Sequence, residues 1–437
     1  MSCQIGLYLS GGPVSVSVYE GRSRYGWGGR RSCAGWQSRS LYHFRGRETI
    51  AQQRVRAADV VSAASNGASA RHSANVELFF ERKSRLTYHI IIGRQLDVEA
   101  TAAAAREGLR PRHAMVDLAS ALDARVHHPD GIAVSVADTL RGHILGRPEA
   151  WALARQLAGK AIVDGDVVYC TGEDVGIPIA SVCAARKVSA RVAVFVHNLD
   201  RPRSRFGLRA YRSAGNITLF IACSRHQTDF LAGHLRVPAE RLAPVWDSID
   251  MQFFTPGPPR PAKLRPLIVA AGLEKRDYRT LAAATRDLDV DVRITGFSND
   301  AKLQGKAFPE ELPPNMKQNF YEWPDLVQLY RDADVVVVST FPTTYAAGVQ
   351  SLMEGMSCGR PIVATSTQGL KEYVSDPETV LAVEPGNAAE MQGALKKILA
   401  DPAFASELAQ RGRTQALERF NQDRYVVYLE ERLRALG

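Results

Sequence analysis

The chain has 437 residues, of which 45% are apolar, too long for one ordinary domain and normal in composition for a water-facing folded protein. No run of 18 apolar residues occurs, so no membrane-spanning helix is expected, and the start lacks the apolar stretch of a secretory leader. Of the net charge of +9, residues 1–87 carry +8, so the near-neutral remainder offers no electrostatic footprint for nucleic acid.

Residues 1–87 are rich in Arg, Ser and Gly and sustain neither a helical nor a strand period, although 14–18 alternate briefly. They read as a disordered extension. The six cysteines contain no C-x-x-C pair and no zinc-finger spacing, so buried, reduced thiols of a cytoplasmic protein are expected. Order begins near Tyr88. A strand over 88–92 is followed by a helix over 111–124, opened by Pro111, and by extended chain over 125–128. Apolar strands follow at 166–170, 192–196 and 218–223, with helices at 177–186 and 225–235.

Five prolines between 256 and 266 block helix and central strand alike and mark a linker. A second alternating series then runs to the end. Its strands are 267–271, 291–295, 334–339, 361–365 and 379–383. Its helices are 278–287, 325–332, 350–357, 388–399, 402–418 and an amphipathic 424–436. Strands alternating with helices give an α/β chain with two doubly wound, Rossmann-like parallel-sheet domains, 88–256 and 257–421, plus a terminal helical segment 422–437. Ligands are expected in the cleft, beyond the carboxyl ends of the strands.

The densest cluster of signals is Tyr345-Ala-Ala-Gly-Val-Gln-Ser-Leu-Met-Glu-Gly-Met-Ser-Cys-Gly-Arg-Pro-Ile-Val-Ala-Thr365. A glycine turn enters a helix, whose first N–H groups at Gly348, Val349 and Gln350 suit an anion or a sugar hydroxyl. Glu354 lies within that helix. Its carboxylate either accepts two hydroxyls of a ribose, at about 1.5–3 kcal/mol per charge-assisted bond, or is simply solvated. Lys275 and Arg276 follow the strand 267–271 and either grip a diphosphate or stand as cations in a turn. His197 ends the strand 192–196. Glu173 and Asp174 follow 166–170 and either bind an acceptor hydroxyl or cap the next helix. Arg205, Arg209 and Arg212 share one helical face, suited to an anionic membrane, to a lipid phosphate, or to solvent alone. No G-x-G-x-x-G, P-loop, H-E-x-x-H or G-x-S-x-G is present, against nicotinamide, P-loop, zinc-protease and hydrolase chemistry.

The run Glu354-Gly-Met-Ser-Cys-Gly-Arg-Pro-Ile-Val-Ala-Thr365 resembles the donor motif of family 4 glycosyltransferases. That motif reads Glu, seven residues, Glu, then Ala/Gly-Met-x-x-Gly-x-Pro-Val-Ile-Ala-Thr. The flanks Leu329-Tyr-Arg-Asp-Ala-Asp-Val-Val-Val-Val-Ser339 and Gly369-Leu-Lys-Glu-Tyr373 are similar to the family as well. The resemblance covers the C-terminal half well and the N-terminal half loosely. It implies a GT-B fold and a retaining hexosyltransferase (glycosyltransferase group 1 type) that uses a nucleotide diphosphate sugar without metal or other cofactor. It implies a glycan, lipid or small-molecule acceptor, as in polysaccharide or glycolipid biosynthesis, and a cytoplasmic or peripheral membrane location. Glu354 would hold the ribose, Lys275 and Arg276 the diphosphate, and Tyr345 with 348–350 the sugar. His197 would meet the sugar from the other domain, and the terminal helix would pack back on that domain. Two departures stand out. Ala346 replaces the first acid, and Ala271 and Gly272 replace an expected Arg. They keep open a catalytically silent protein on the same fold that binds a nucleotide sugar or a partner glycosyltransferase, beside a nucleotide-sugar epimerase.

Overall fold

The computed structural model describes residues 2–8, 15–21, 38–43, 86–210, 213–260, 263–295 and 307–437. The chain divides into two units, Met1–Arg85 and Leu86–Gly437. In the first, β1 (Ser2–Tyr8), β2 (Ser15–Gly21) and β3 (Ser38–His43) pair antiparallel in the order β1-β2-β3, with Ile5 opposite Val18 and Val16 opposite Tyr42. Most of the 14–18 alternation falls within β2, inside the stretch expected to be a disordered extension.

The second unit contains two parallel sheets. The N-terminal half runs β4 (Tyr88–Ile91), α1 (Val98–Arg106), α2 (Ala114–Leu122), β5 (Arg125–His127), α3 (Val136–Ile144), α4 (Pro148–Leu157), β6 (Val167–Cys170), α5 (Glu173–Ala185) and β7 (Arg191–Val196). It continues with α6 (Pro202–Ala210), β8 (Leu219–Ala222), α7 (Arg225–Asp229) and β9 (Leu242–Pro244). The order is β5-β4-β6-β7-β8-β9, every pair parallel. All four residues of β6, Val-Val-Tyr-Cys, are buried, because helices cover both faces of a parallel sheet. The expected helix 225–235 is α-helical only to Asp229 and then takes a π turn, Phe230–His234. The helices α1, α3 and α4 and the short strand β9 are additions to the sequence reading.

The C-terminal half runs β10 (Leu267–Ala271), α8 (Tyr278–Thr285), β11 (Asp291–Thr295), β12 (Met316–Gln318), α9 (Trp323–Asp332), β13 (Val335–Val338), α10 (Val349–Ser357) and β14 (Ile362–Thr365). It ends with β15 (Leu381–Val383), α11 (Ala388–Ala400), α12 (Pro402–Arg419) and α13 (Gln422–Leu436). Its order is β12-β11-β10-β13-β14-β15, again wholly parallel. The strand order therefore reverses between β10 and β13 here, and between β4 and β6 in the first half. A crevice opens beyond the strand ends at each reversal.

The chain leaves the first sheet at Pro244, and Ile249, Met251 and Phe254 are already buried in the core of the second half, ahead of the proline run. Helix α13 buries Tyr425, Val426, Leu429 and Leu433 against Ile90, Tyr169 and Phe195 of the first half. Arg112 locks both crossings, meeting Asp250 at 3.0 Å and Asp423 at 2.7 Å.

Candidate functional site

At the reversal between β10 and β13 the backbone turns at Gly272 (φ +95°), and Lys275 adopts a left-handed conformation (φ +58°). This turn folds the side chain of Arg276 inward. Arg276 is 4% exposed. Its Nε donates to Ala271 O at 2.7 Å, Nη1 to Glu274 O at 3.1 Å and Nη2 to Ser351 Oγ at 2.8 Å. All three acceptors are neutral, and no carboxylate hydrogen-bonds this guanidinium among the described residues. A buried cation without a paired anion is costly unless an anion arrives. Lys275 is exposed, with no side-chain partner among the described residues.

Above Arg276 lies the start of α10. Gly348 caps it at φ +96°, and no side chain satisfies the cap. A Cβ on Gly348 would lie 3.2 Å from Arg276 Nη1, and one on Gly272 would lie 2.4 Å from Nη2, so two bare backbone turns flank the guanidinium. The three expected amide donors are not equivalent. Val349 N–H is turned to Ala346 O at 3.2 Å, whereas those of Gly348 and Gln350 have no protein acceptor among the described residues. Glu354 is 8% exposed. Its Oε2 accepts from Tyr330 Oη at 2.6 Å. Burial pushes its carboxyl above the usual range, against the lowering effects of that hydrogen bond and of Arg276.

On the facing half, the β4/β6 crevice opens into a cavity of about 1220 Å³. Glu173 and Asp174 open α5 there and play different parts. Glu173 receives His197 N–H on Oε2 at 2.9 Å and Asn198 N–H on Oε1 at 3.0 Å, so it holds the end of β7. Asp174 lies against Gly93 and Gly172, where added Cβ atoms would sit 3.2 and 2.5 Å from its oxygens. Its carboxylate has no hydrogen bond among the described residues and lines the cavity. His197 is exposed in the cavity wall. Its Nε2 lies 2.9 Å from Thr171 O, which can only accept, so in the neutral ring Nδ1 is the free acceptor.

Several contacts span the cleft. Arg201 lies over the Tyr345 ring, 5.7 Å from its centroid, and Tyr345 Oη donates to Glu274. Burial and then Glu274 push the Tyr345 hydroxyl up. Glu372 Oε2 accepts from Arg225 N–H at 2.8 Å, and Tyr373 Oη donates to Cys223 O at 2.8 Å while accepting from Asp247 N–H at 3.0 Å. Sequence reasoning missed Asp247. Its half-buried carboxyl is pushed up by burial, with Ser248 N–H, His197 and Gln350 acting the other way. It follows the last strand of the first sheet and has no motif around it.

The basic face expected over Arg205, Arg209 and Arg212 is described only at Arg205. Arg205 pairs with Asp200 and lies 5.1 Å from the Phe230 ring centroid, so its charge is already engaged. The Arg209 side chain and Arg212 lie outside the described residues. Among the described residues, no helix is long and apolar enough to cross a membrane, and no His/Cys/Asp/Glu group is placed to hold a metal.

Two parallel six-stranded halves meeting across their strand ends, with a terminal helix returning to the first, are the GT-B architecture. Residues 265–401 match the family Glycosyl transferases group 1 and form a domain of that type. The chain is 24% identical over 222 residues, 45% of its own length, to D-inositol 3-phosphate glycosyltransferase of Paenarthrobacter aurescens (strain TC1). It spans about half the length of the curated relatives it matches, 52% in that case. Sucrose-phosphate synthase from Thermosynechococcus elongatus superposes with a TM-score of 0.60 at 16% identity, covering 80% of this chain and 99% of that one. Anabaena HepE in complex with UDP and glucose gives 0.58 at 16% identity, covering 79% and 99%. At these identities the likeness of the structures is one of fold.

Proposed function

We propose that the chain is a retaining hexosyltransferase that holds a nucleoside diphosphate sugar on the C-terminal half and transfers the sugar to an acceptor in the N-terminal cavity. The observation that carries this reading is Arg276, a buried guanidinium with only neutral hydrogen-bond partners, flanked by two glycine turns at the strand-order reversal. A diphosphate is the anion that fits. Its oxygens would approach over Gly272 and Gly348, accept from the free amides of Gly348 and Gln350, and gain from the α10 dipole. Lys275 would add a mobile cation from the solvent side. As the sugar leaves, charge develops on the diphosphate where these donors already stand.

Glu354 would take the ribose hydroxyls, and Tyr345 would flank the sugar. His197, with Nδ1 free, would meet the sugar from the first half. Anabaena HepE, which shares the fold, is solved in complexes with UDP and with UDP-glucose, which supports a uridine nucleotide as the first donor to test. Ala346, where the resembling motif has an acid, favours a second reading in which the donor is bound without turnover.

Calorimetry with UDP, followed by transfer and hydrolysis assays with a panel of UDP- and GDP-sugars, tests both. Micromolar UDP binding, weakened at least tenfold by Arg276→Met, is expected, together with transfer and retained anomeric configuration in the product. No nucleotide binding by the folded chain would sink the proposal. Binding without turnover across the panel would favour the silent reading.

A further inference from the structure

Asp247 stands where the chain passes from β9 into the core of the second half. Residues of both halves fix its backbone. Its N–H donates to Tyr373 Oη at 3.0 Å, and that hydroxyl donates to Cys223 O at 2.8 Å. Trp246, one residue earlier, meets the Tyr373 ring edge-on with centroids 4.9 Å apart, and the Phe420 ring at 5.7 Å. The place of the Asp247 side chain is therefore set by the way the halves pack.

The carboxyl has accepting capacity left. Oδ1 accepts from Ser248 N–H at 2.9 Å, and no cation forms an ion pair with the group among the described residues. The Gln350 side chain reaches it from the start of α10, and His197 acts on it electrostatically from the end of β7. Groups that belong to the proposed donor site thus converge on this half-buried residue from both halves. The other acids around the cleft are engaged. Glu274 accepts from Tyr345 Oη, Glu354 from Tyr330 Oη and Glu372 from Arg225 N–H, while Glu173 holds the amides of His197 and Asn198. Asp174 lies against Gly93 and Gly172 in the first-half cavity. The loop that enters α10 has Ala346, whose methyl group packs on buried residues of both halves. It brings no carboxylate of its own to the sugar.

We propose that Asp247 is the residue that reads the donor's sugar: its carboxylate, supplied from the first half alongside Gln350 and His197, accepts hydroxyls of the sugar where the α10 loop has only Ala346. This rests on the donor reading above and assigns sugar selection to one residue. A carboxylate withdrawn from water and left without its hydroxyl is costly. A site built to bind a hydroxyl therefore rejects a sugar that lacks it or holds it in the other configuration.

The test is calorimetry on the full chain with UDP, UDP-glucose, UDP-galactose and UDP-N-acetylglucosamine. Asp247→Asn keeps the shape of the side chain and an oxygen for Ser248 N–H, and removes the charge. It is expected to weaken the best-bound UDP-sugar at least tenfold, to leave UDP within about twofold, and to narrow the spread of affinities among the three sugars. Asp247→Ala should show the same pattern with a larger loss. A thermal melt checks that both variants are folded.

Failure of UDP to bind the wild type strikes the donor reading itself. Where UDP binds, three outcomes overturn the Asp247 inference alone. The first is that no UDP-sugar of the three binds the wild type. The second is that Asp247→Asn leaves every UDP-sugar within about twofold. The third is that a folded Asp247→Asn weakens UDP and the UDP-sugars alike, which is the mark of a residue that only holds the two halves together.

Discussion

Glu173 grips the backbone amides of both His197 and Asn198, one on each carboxylate oxygen, at 2.9 and 3.0 Å. The strands β6 and β7 are adjacent, so the start of α5 after one faces the end of the other. The contact makes Glu173 a positioning residue for His197. Glu173→Ala leaves two amides without their acceptor, and a displacement of the imidazole by about 1 Å can cost on the order of 10²-fold in rate. The expected outcome is a fall of that size in kcat for transfer, with UDP affinity within about twofold of the parent. Equal losses in kcat and UDP affinity would mean a general structural role instead.

Gly348 and Arg276 pack closely at the proposed donor site. A methyl group on Gly348 would meet Val338 Cγ1 at 2.7 Å and Arg276 Nη1 at 3.2 Å, and the backbone there has φ +96°. The left-handed conformation costs an L side chain about 1–2 kcal/mol, and the crowding adds about 1–3. Gly348→Ala should therefore lower stability in urea unfolding by about 2–4 kcal/mol and weaken UDP at least tenfold. Full affinity in a folded variant would show that no ligand uses the bare face of this turn.

The fully buried parallel strands were legible because burial on both faces leaves continuous apolar runs, as in the Val-Val-Val-Val of β13. The α10 motif was legible because its turn, helix and following strand are contiguous. The helices around the N-terminal cavity were not. α1 is Val-Glu-Ala-Thr-Ala-Ala-Ala-Ala-Arg, with Thr101 its only buried residue, and α3 exposes Val136 and Leu140 while burying Asp138 and Gly142. Their apolar residues do not mark the inward face, so hydrophobic periodicity carries no signal. The burial of Arg276 depends on Ser351, 75 residues away, and that of Glu354 on Tyr330, 24 residues before it. Spacing within a motif reports neither contact.

Glu354 combines burial with a single hydrogen bond among the described residues, from Tyr330 at 2.6 Å. Burial raises its carboxyl pKa, so between the unfolded and folded values the native state binds the extra proton. Stability from this group is then greatest at low pH and declines as pH rises through that window. Glu354→Gln removes the charge and keeps an oxygen for Tyr330. The melting temperature near neutral pH should stay level or rise, while UDP affinity falls at least tenfold through loss of the charge-assisted ribose contact. Uridine diphosphate and deoxyuridine diphosphate, compared on both proteins, check the cause, since the variant should lose much of the difference between them.

The pH dependence of folding has a separate source in the first half. His127 Nε2 lies 3.0 Å from His89 Nδ1, and His89 Nε2 lies 3.3 Å from Asp166 Oδ2. Burial, then the neighbouring His89 and Arg125, depress His127 to about 4, and burial also lowers His89 despite Asp166. The unfolded chain, with its histidine near the ordinary 6.5, binds the proton first. The stabilisation is therefore complete above about pH 6.5 and is lost as pH falls towards 4, by at most about 3 kcal/mol for His127. Other carboxylates titrate near the lower end of this range, so the wild-type curve alone does not isolate the pair. His127→Gln keeps a polar partner for His89 and removes the titration. Melting temperatures from pH 7.5 to 4.5 should fall more steeply for the wild type than for the variant, the gap opening below pH 6.5. Parallel curves would place the acid sensitivity elsewhere in the fold.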